Sequence, residues 1–445
     1  MSILTREEAK ALLTKVLSFS KADECEVNID GFDGGNIRYA LNSVNTSGGM
    51  SKTSLVVTSA FGKKSGVATI NEYDDTSLEK AVRRSEELAK LAPENPEYMN
   101  LLGPQNYGPE SPTFSPATAK VGPKERAEAV AKSLEYSREN KLNAAGFLDN
   151  SSGYNAVMNS KGLFAYETVS NVAFNVTLRT ADGKGSGYAT RGYNDFSKLN
   201  TKLDTEIAAK KALASVTAKA IEPGKYTVIL EPTAVAVMLE NMISDMDERT
   251  ADEGRSFLSK PGGKTRLGEQ LVDKRVNIYS DPWNTELPGS TWASDGTPIE
   301  KTQWIANGVV KNMSSSRYWA AKKGKKSIPA PSGVIMEGGT KSLAELIKGT
   351  EKGILVTRLW YIRSVDPQTL LLTGLTRDGT FYIENGEIKF PVKNFRFNES
   401  PIIMLNNLDE IGKSERTVSA ESNQNYLLPP LKIRDFTFTS LSDAV

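Results

Sequence analysis

The chain has 445 residues, 55 of them basic and 54 acidic, so its charge balance gives no reason to expect nucleic acid or an anionic membrane as a partner. It holds no histidine and a single cysteine, where ordinary usage would supply roughly nine histidines. Ser–His–Asp and Cys–His catalysis, histidine-ligated zinc and an internal disulfide are thereby excluded within this chain, and a metal held here would need oxygen ligands alone.

Thr5 and Glu8 have the spacing of a capping box, ahead of apolar Ala11, Leu12, Leu13, Val16 and Leu17. Val27 and Ile29 alternate in the next segment, and NIRYALNSVN and TSLVVTSAFGKKSGVATI read as further strands. Thr76 is a candidate cap for a helix whose Leu78, Ala81, Val82, Leu88 and Ala92 recur at helical spacing until Pro93. A Pro/Gly/Asn-rich connector over 93–122 follows. Pro123 opens a second helix, strands are expected in GFLDNSS, YNAVMNSKGLFAYE and NVAFNVTLRT, and a helix is expected from about Thr201 to Ala220.

GKGSGYAT at Gly183–Thr190 matches neither a P-loop nor a dinucleotide fingerprint. It matches GKKSGVAT, which begins 121 positions earlier at Gly62, and the register continues to Asp74/Asp195 and Leu78/Leu199. Eight of seventeen positions are identical, against roughly one by chance. The glycines therefore read as hairpins of a duplicated helix–strands–helix unit. The units span about 1–92 and 123–222, joined by 93–122, in an N-terminal α+β domain over 1–222.

From 223 to 445 the expectation is a mainly β domain entered through a helix. The strand YTVIL leads to a helix beginning near Pro232, where Val235, Met238, Leu239, Met242, Ile243 and Met246 form one buried stripe. Asn385-Gly386 between alternating flanks specifies a tight hairpin, and Thr340 to Thr350 reads as one further helix. Trp283, Trp292, Trp304, Trp319 and Trp360 all fall in this domain, as core or interface.

Four stretches lie in order behind the two repeated units: YTVILEPTAVAVMLENM, SDGTPIEKTQWIANGVVKN, GGTKSLAELIKGTEKGILV and DGTFYIENGEIKFPVKNFRFNES. Together they resemble the TldD/TldE (PmbA) family, labelled modulators of DNA gyrase and understood as peptidase subunits. The resemblance implies two related subunits pairing around an internal cavity. It also implies a catalytic subunit with HExxxH on the helix that begins here at Pro232, whose two histidines and a C-terminal cysteine bind zinc and whose glutamate is the candidate base. Here those positions hold Glu240, Asn241 and Asp245, and Cys25 lies far from the cysteine's place. The implied role is the metal-free, TldE-like subunit, with no cofactor in this chain and zinc in a TldD-like partner carrying HExxxH. Its implied substrates are peptides and unfolded segments. A homodimer that binds peptide or modulates DNA gyrase is the alternative, as is a histidine-independent hydrolase, although no G-x-S-x-G or S-x-x-K…K-T-G set supports the last.

Arg358, Arg377 and Asp378 are the candidate substrate-binding residues in the family-like stretches, with Asp295 and Asp378 also suited to turns before glycine. Lys322, Lys323, Lys325 and Lys326 form the densest basic patch. It reads as a solvated loop, or as a contact for nucleic acid or acidic peptide. No apolar run approaches the ~20 residues of a membrane span, and MSILTREEAK lacks a signal peptide's pattern, so the cytoplasm is the expected compartment.

Overall fold

In the computed structural model, which describes residues 3–442, the repeated glycines have two separate jobs. Gly62 and Gly183 turn hairpins at φ 57° and 73°. Gly66 and Gly187 let a helix lie directly on the strand: an added Cβ would stand 2.2 Å from the Ala89 nitrogen in one unit and 2.1 Å from the Ala208 carbonyl oxygen in the other. The duplication extends well beyond the glycines. The first unit is α1 (Arg6–Ser18), β1 (Glu24–Ala40), β2 (Ser43–Phe61), β3 (Lys64–Ile70) and α2 (Asp75–Leu91). After the short α3 (Pro116–Ala119), the second is α4 (Pro123–Glu139), β4 (Leu142–Asn159), β5 (Phe164–Thr180), β6 (Ser186–Tyr193) and α5 (Thr201–Ala214).

The two units share one antiparallel sheet ordered β3-β2-β1-β4-β5-β6, with β1 and β4 paired at its centre from Glu26↔Asn159 to Tyr39↔Gly146. Strand alternation sends Val27, Ile29, Leu55 and Val57 to a core under α1 and α2. Phe174, Val176, Leu178 and Ala189 go to an equivalent core under α4 and α5. All four long helices therefore cover one face of the sheet, and the other face is open.

Several sequence expectations hold and others shift. Thr5 and Glu8 form the capping box, and Pro123 and Pro232 each occupy a first helical turn. Asp74, rather than Thr76, caps α2, because its carboxylate reaches the Ser77 N–H at 3.0 Å. NIRYALNSVN is not one strand: it is divided by a turn in which Leu41 and Asn42 take φ 49° and 59°. α5 stops at Ala214, because the Ser215 hydroxyl turns to the backbone of Ser186 and the chain leaves to pair Lys219 with Pro391. The helix expected over 340–350 is confined to Leu343–Lys348, between a Ser342–Glu345 capping box and Gly349.

The C-terminal part is mainly β. It begins with β7 (Gly224–Leu230) and α6 (Pro232–Ser244). β7 lies inside a seven-stranded sheet with Lys352–Asp366, Leu371–Glu384, Glu387–Pro391, Phe395–Glu399, Leu408–Ile411 and Leu431–Leu441. A six-stranded sheet forms from Ile278–Ser280, Thr302–Ala306, Val309–Val310, Val334–Met336, Glu415–Val418 and Asn425–Leu428. The apolar stripe of α6 is core, packed into one cluster with residues of both sheets. The Asn385-Gly386 hairpin has φ 51° and 75°, the pair of values a two-residue turn of that type requires. Trp304 is fully buried, and Trp292 and Trp319 nearly so.

The connector over 93–122 does more than join the two units. Glu97 pairs bidentately with Arg249 at 2.9 Å, Tyr107 donates to the Gly296 carbonyl at 2.9 Å, and Ser111 donates to the Pro282 carbonyl at 2.6 Å. It is a strap that fastens the repeated units to the C-terminal part. Among the described residues no helix is long and apolar enough to cross a membrane.

Candidate functional site

Glu240, Asn241 and Asp245 lie at the C-terminal end of α6, and their side chains do not converge. The Glu240 carboxylate accepts a hydrogen bond from the Ser419 hydroxyl at 2.5 Å. Asn241 donates to the Val237 carbonyl at 2.8 Å, one turn back on its own helix. Asp245 follows the last helical residue, and burial raises its pKa. Among the described residues, no three His, Cys, Asp or Glu side chains gather closely enough to hold a metal ion. One carboxylate tied to a hydroxyl, one amide turned into its helix and one isolated carboxyl do not fit zinc.

Beside Glu240 is a cleft of about 540 Å³ at the junction with the repeated units. Arg416 lines it, donating to the Asn194 side-chain oxygen at 2.9 Å and to the Glu286 carbonyl at 2.6 Å. Burial lowers the Arg416 pKa to about 10. A larger groove, about 1330 Å³, runs along the open face of the sheet shared by the two repeated units. Asp30, Phe32, Arg38, Phe147 and Asp149 line it, and Val418 and Asn423 reach it from the C-terminal part. Neither Arg416 nor Asp149 is marked by any motif. Strand alternation alone would have put Asp149 on the face opposite buried Leu148.

The structure brings Arg358, Arg377 and Asp378 together, at the junction of the two parts. Asp378 is 2% exposed and takes the Arg358 guanidinium at 2.8 Å and the Ser186 hydroxyl at 2.5 Å. Arg358 lies over the Tyr188 ring at 4.0 Å and Arg377 over the Trp360 ring at 4.1 Å, and burial lowers the Arg377 pKa. Asp295 plays the turn role, accepting from the Thr297 N–H at 3.0 Å.

The lysine patch is not a free block of positive charge. Lys323 bonds Asp252 at 2.6 Å, Lys325 bonds Glu248 at 2.6 Å and Lys326 bonds Glu300 at 2.8 Å. Lys322 stands over the Trp319 ring at 4.6 Å.

The profile of the PmbA/TldA metallopeptidase C-terminal domain matches residues 223–440, and that of the central domain matches 112–216. The chain belongs to the PmbA/TldD metallopeptidase family. A relative from Methanothermobacter thermautotrophicus named a metalloprotease is 24% identical over 286 residues. That match takes in 59% of this chain and 60% of the relative, so this chain spans less than two thirds of that protein. Among solved structures, TldE from Thermococcus kodakarensis superposes with a TM-score of 0.87 over 97% of this chain and 99% of that one, at 20% identity. A Thermotoga maritima protein described as a candidate modulator of a DNA gyrase gives 0.85 at 17% identity, over 97% of this chain and all of the other. At such identities the superpositions speak for the fold, which is the TldE fold of repeated units and β-rich C-terminal part.

Proposed function

We propose that this chain is the non-catalytic, TldE-like subunit of a cytoplasmic, heteromeric metallopeptidase acting on peptides and unfolded segments. The observation that carries the proposal is the donor set at the end of α6: Glu240 and Asn241 are engaged separately and Asp245 stands apart from them, in a chain with no histidine at all. The zinc and the water it activates belong to the partner chain with HExxxH. This chain's part is to wall the substrate cavity.

Two features suit a wall. The groove on the open sheet face is roomy and lined by both polar and aromatic side chains. At its border runs the outer edge of β2, where β3 pairs only Leu55–Phe61 and leaves the residues before it uncovered. The alternation of hydrogen-bonding positions points the backbone groups of Ser47, Gly49 and Ser51 outward. An extended peptide can add to such an edge through its backbone, which binds many sequences without reading one. Arg358, Arg377 and Asp378 support that wall indirectly, by holding the second unit against the C-terminal part.

The test is co-expression with a family member carrying HExxxH, followed by co-purification and elemental analysis. One zinc per pair, lost when the partner's first motif histidine is replaced and unaffected by Glu240→Ala here, is the expected result. One zinc per chain in the isolated protein would overturn the reading.

A further inference from the structure

One carboxylate on the open sheet face is answered by no cation among the described residues. Asp149 stands in the middle of β4, opposite Asn36 of β1 and Ala173 of β5, on the wall of the 1330 Å³ groove. Among the described residues its carboxylate makes no hydrogen bond or ion pair, and burial alone raises its pKa to about 6. Three carboxylates of comparable or greater burial have cationic partners: Asp204 has Arg191 at 3.2 Å, Glu231 has Lys211 at 2.7 Å, and Asp378 has Arg358 at 2.8 Å. Leaving a carboxylate desolvated and unpaired is costly, so an external counter-charge would recover that cost.

The surroundings narrow the ligand. The other charged groups lining the groove are Asp30 and Arg38, both on β1, and neither shifts the titration of Asp149. Arg38 is exposed. β5 presents Asn171 and Asn175, and the C-terminal part presents Val418 and Asn423, none of them charged. A metal ion would need further carboxylates beside Asp149, and no such cluster exists among the described residues. Phe32 and Phe147 line the same groove, as surface for an aliphatic stem that carries a cationic tip. Gly48, Gly49 and Met50 of the free β2 edge also line it, so a strand added at that edge lies next to Asp149's groove.

We propose that the groove selects extended peptide segments bearing lysine or arginine, whose cationic tip seats on Asp149. This rests on the wall reading and adds a substrate preference to it. A cation bound there requires the ionised carboxylate. Binding is therefore strong above the free-state pKa of about 6 and weakens as pH falls below it.

The experiment uses the full chain and two fluorescein-labelled, unstructured decapeptides, identical except that three alternating lysines in one are glutamines in the other. Anisotropy titrations are run at pH 7.5 and pH 5. The lysine peptide should bind at least tenfold more tightly at pH 7.5, with the advantage falling below threefold at pH 5. Asp149→Asn should abolish the advantage at both pH values, whereas Asp149→Glu should keep most of it; thermal melts of each variant check that it is folded. Equal binding of both peptides would overturn the charge selection and leave the wall reading standing. Failure of both peptides to bind would count against both. A change in sedimentation of Asp149→Asn without peptide binding would give the groove to a second copy of the chain, and would also overturn the proposal.

Discussion

The two repeated units share a backbone plan and differ in what covers their outer edges. On β5 the stretch before the β6 pairing is capped by the strap: Thr113 donates to the Thr168 carbonyl at 2.7 Å, and its own carbonyl takes the Ser170 N–H at 2.9 Å. On β2 the equivalent stretch around Ser47 and Gly49 is exposed, with Val44 at 51% and Met50 at 59% exposure. The second unit is further tied to the C-terminal part through Ser186, Tyr188 and Asp378. Duplication thus supplied two equivalent edges, and the C-terminal part and strap cover only one. An uncovered edge on a long strand is a hazard unless something pairs with it, which is why the first unit, and not the second, is the place to look for a bound chain.

Breaking the covered side should have the largest effect. Asp378→Ala leaves the Arg358 guanidinium buried without its carboxylate and should cost about 3–5 kcal/mol, read by urea unfolding. Gly187→Ala and Gly66→Ala test the equivalence of the units. Each forces a methyl group into a helix backbone and should cost about 2–3 kcal/mol, with the two values within about 1 kcal/mol of each other.

Asp149 sets the open face against the helix-covered one. Its pKa lies near 6 in the fold, against 3.8 for the free group, so the native state holds the proton more tightly than the unfolded chain. Stability contributed below about pH 4 is lost as pH rises through 6. Asp149→Asn should remove that slope and raise stability at pH 7.5 by about 1–2 kcal/mol, read from melts at several pH values. The smallest stability effect should come from Ser51→Pro on the free edge. It removes an outward N–H that has no partner among the described residues, so its cost should stay below about 1 kcal/mol while peptide binding falls at least tenfold.

Much of this was legible in the sequence because the signals were local. The 121-residue repeat predicted both units, since a glycine where a helix touches a strand leaves the same trace in each copy. The methionine stripe of α6 announced a core helix, and the Asn385-Gly386 pair announced its turn. What was not legible depends on long-range packing. Nothing local in PENPEYMN or ESPTFS says that a connector will lie against a sheet edge. The pairing of Lys323 with Asp252 and of Lys325 with Glu248 joins residues about 70–80 apart, so the basic run read as a solvated loop or a contact for an acidic partner. Asp378 read as a substrate-binding candidate also suited to a turn, and nothing local announced that Ser186 and Arg358 would meet on it.

The most direct measurement is cleavage of an unstructured reporter peptide by this chain alone, by a family member carrying HExxxH alone, and by the two mixed at equal concentration. A non-catalytic wall predicts no turnover from this chain, little from the other, and at least a hundredfold gain on mixing, abolished by chelation and by loss of the partner's first motif histidine. Chelator-sensitive turnover by this chain alone, or full activity of the other chain without it, would contradict the assignment.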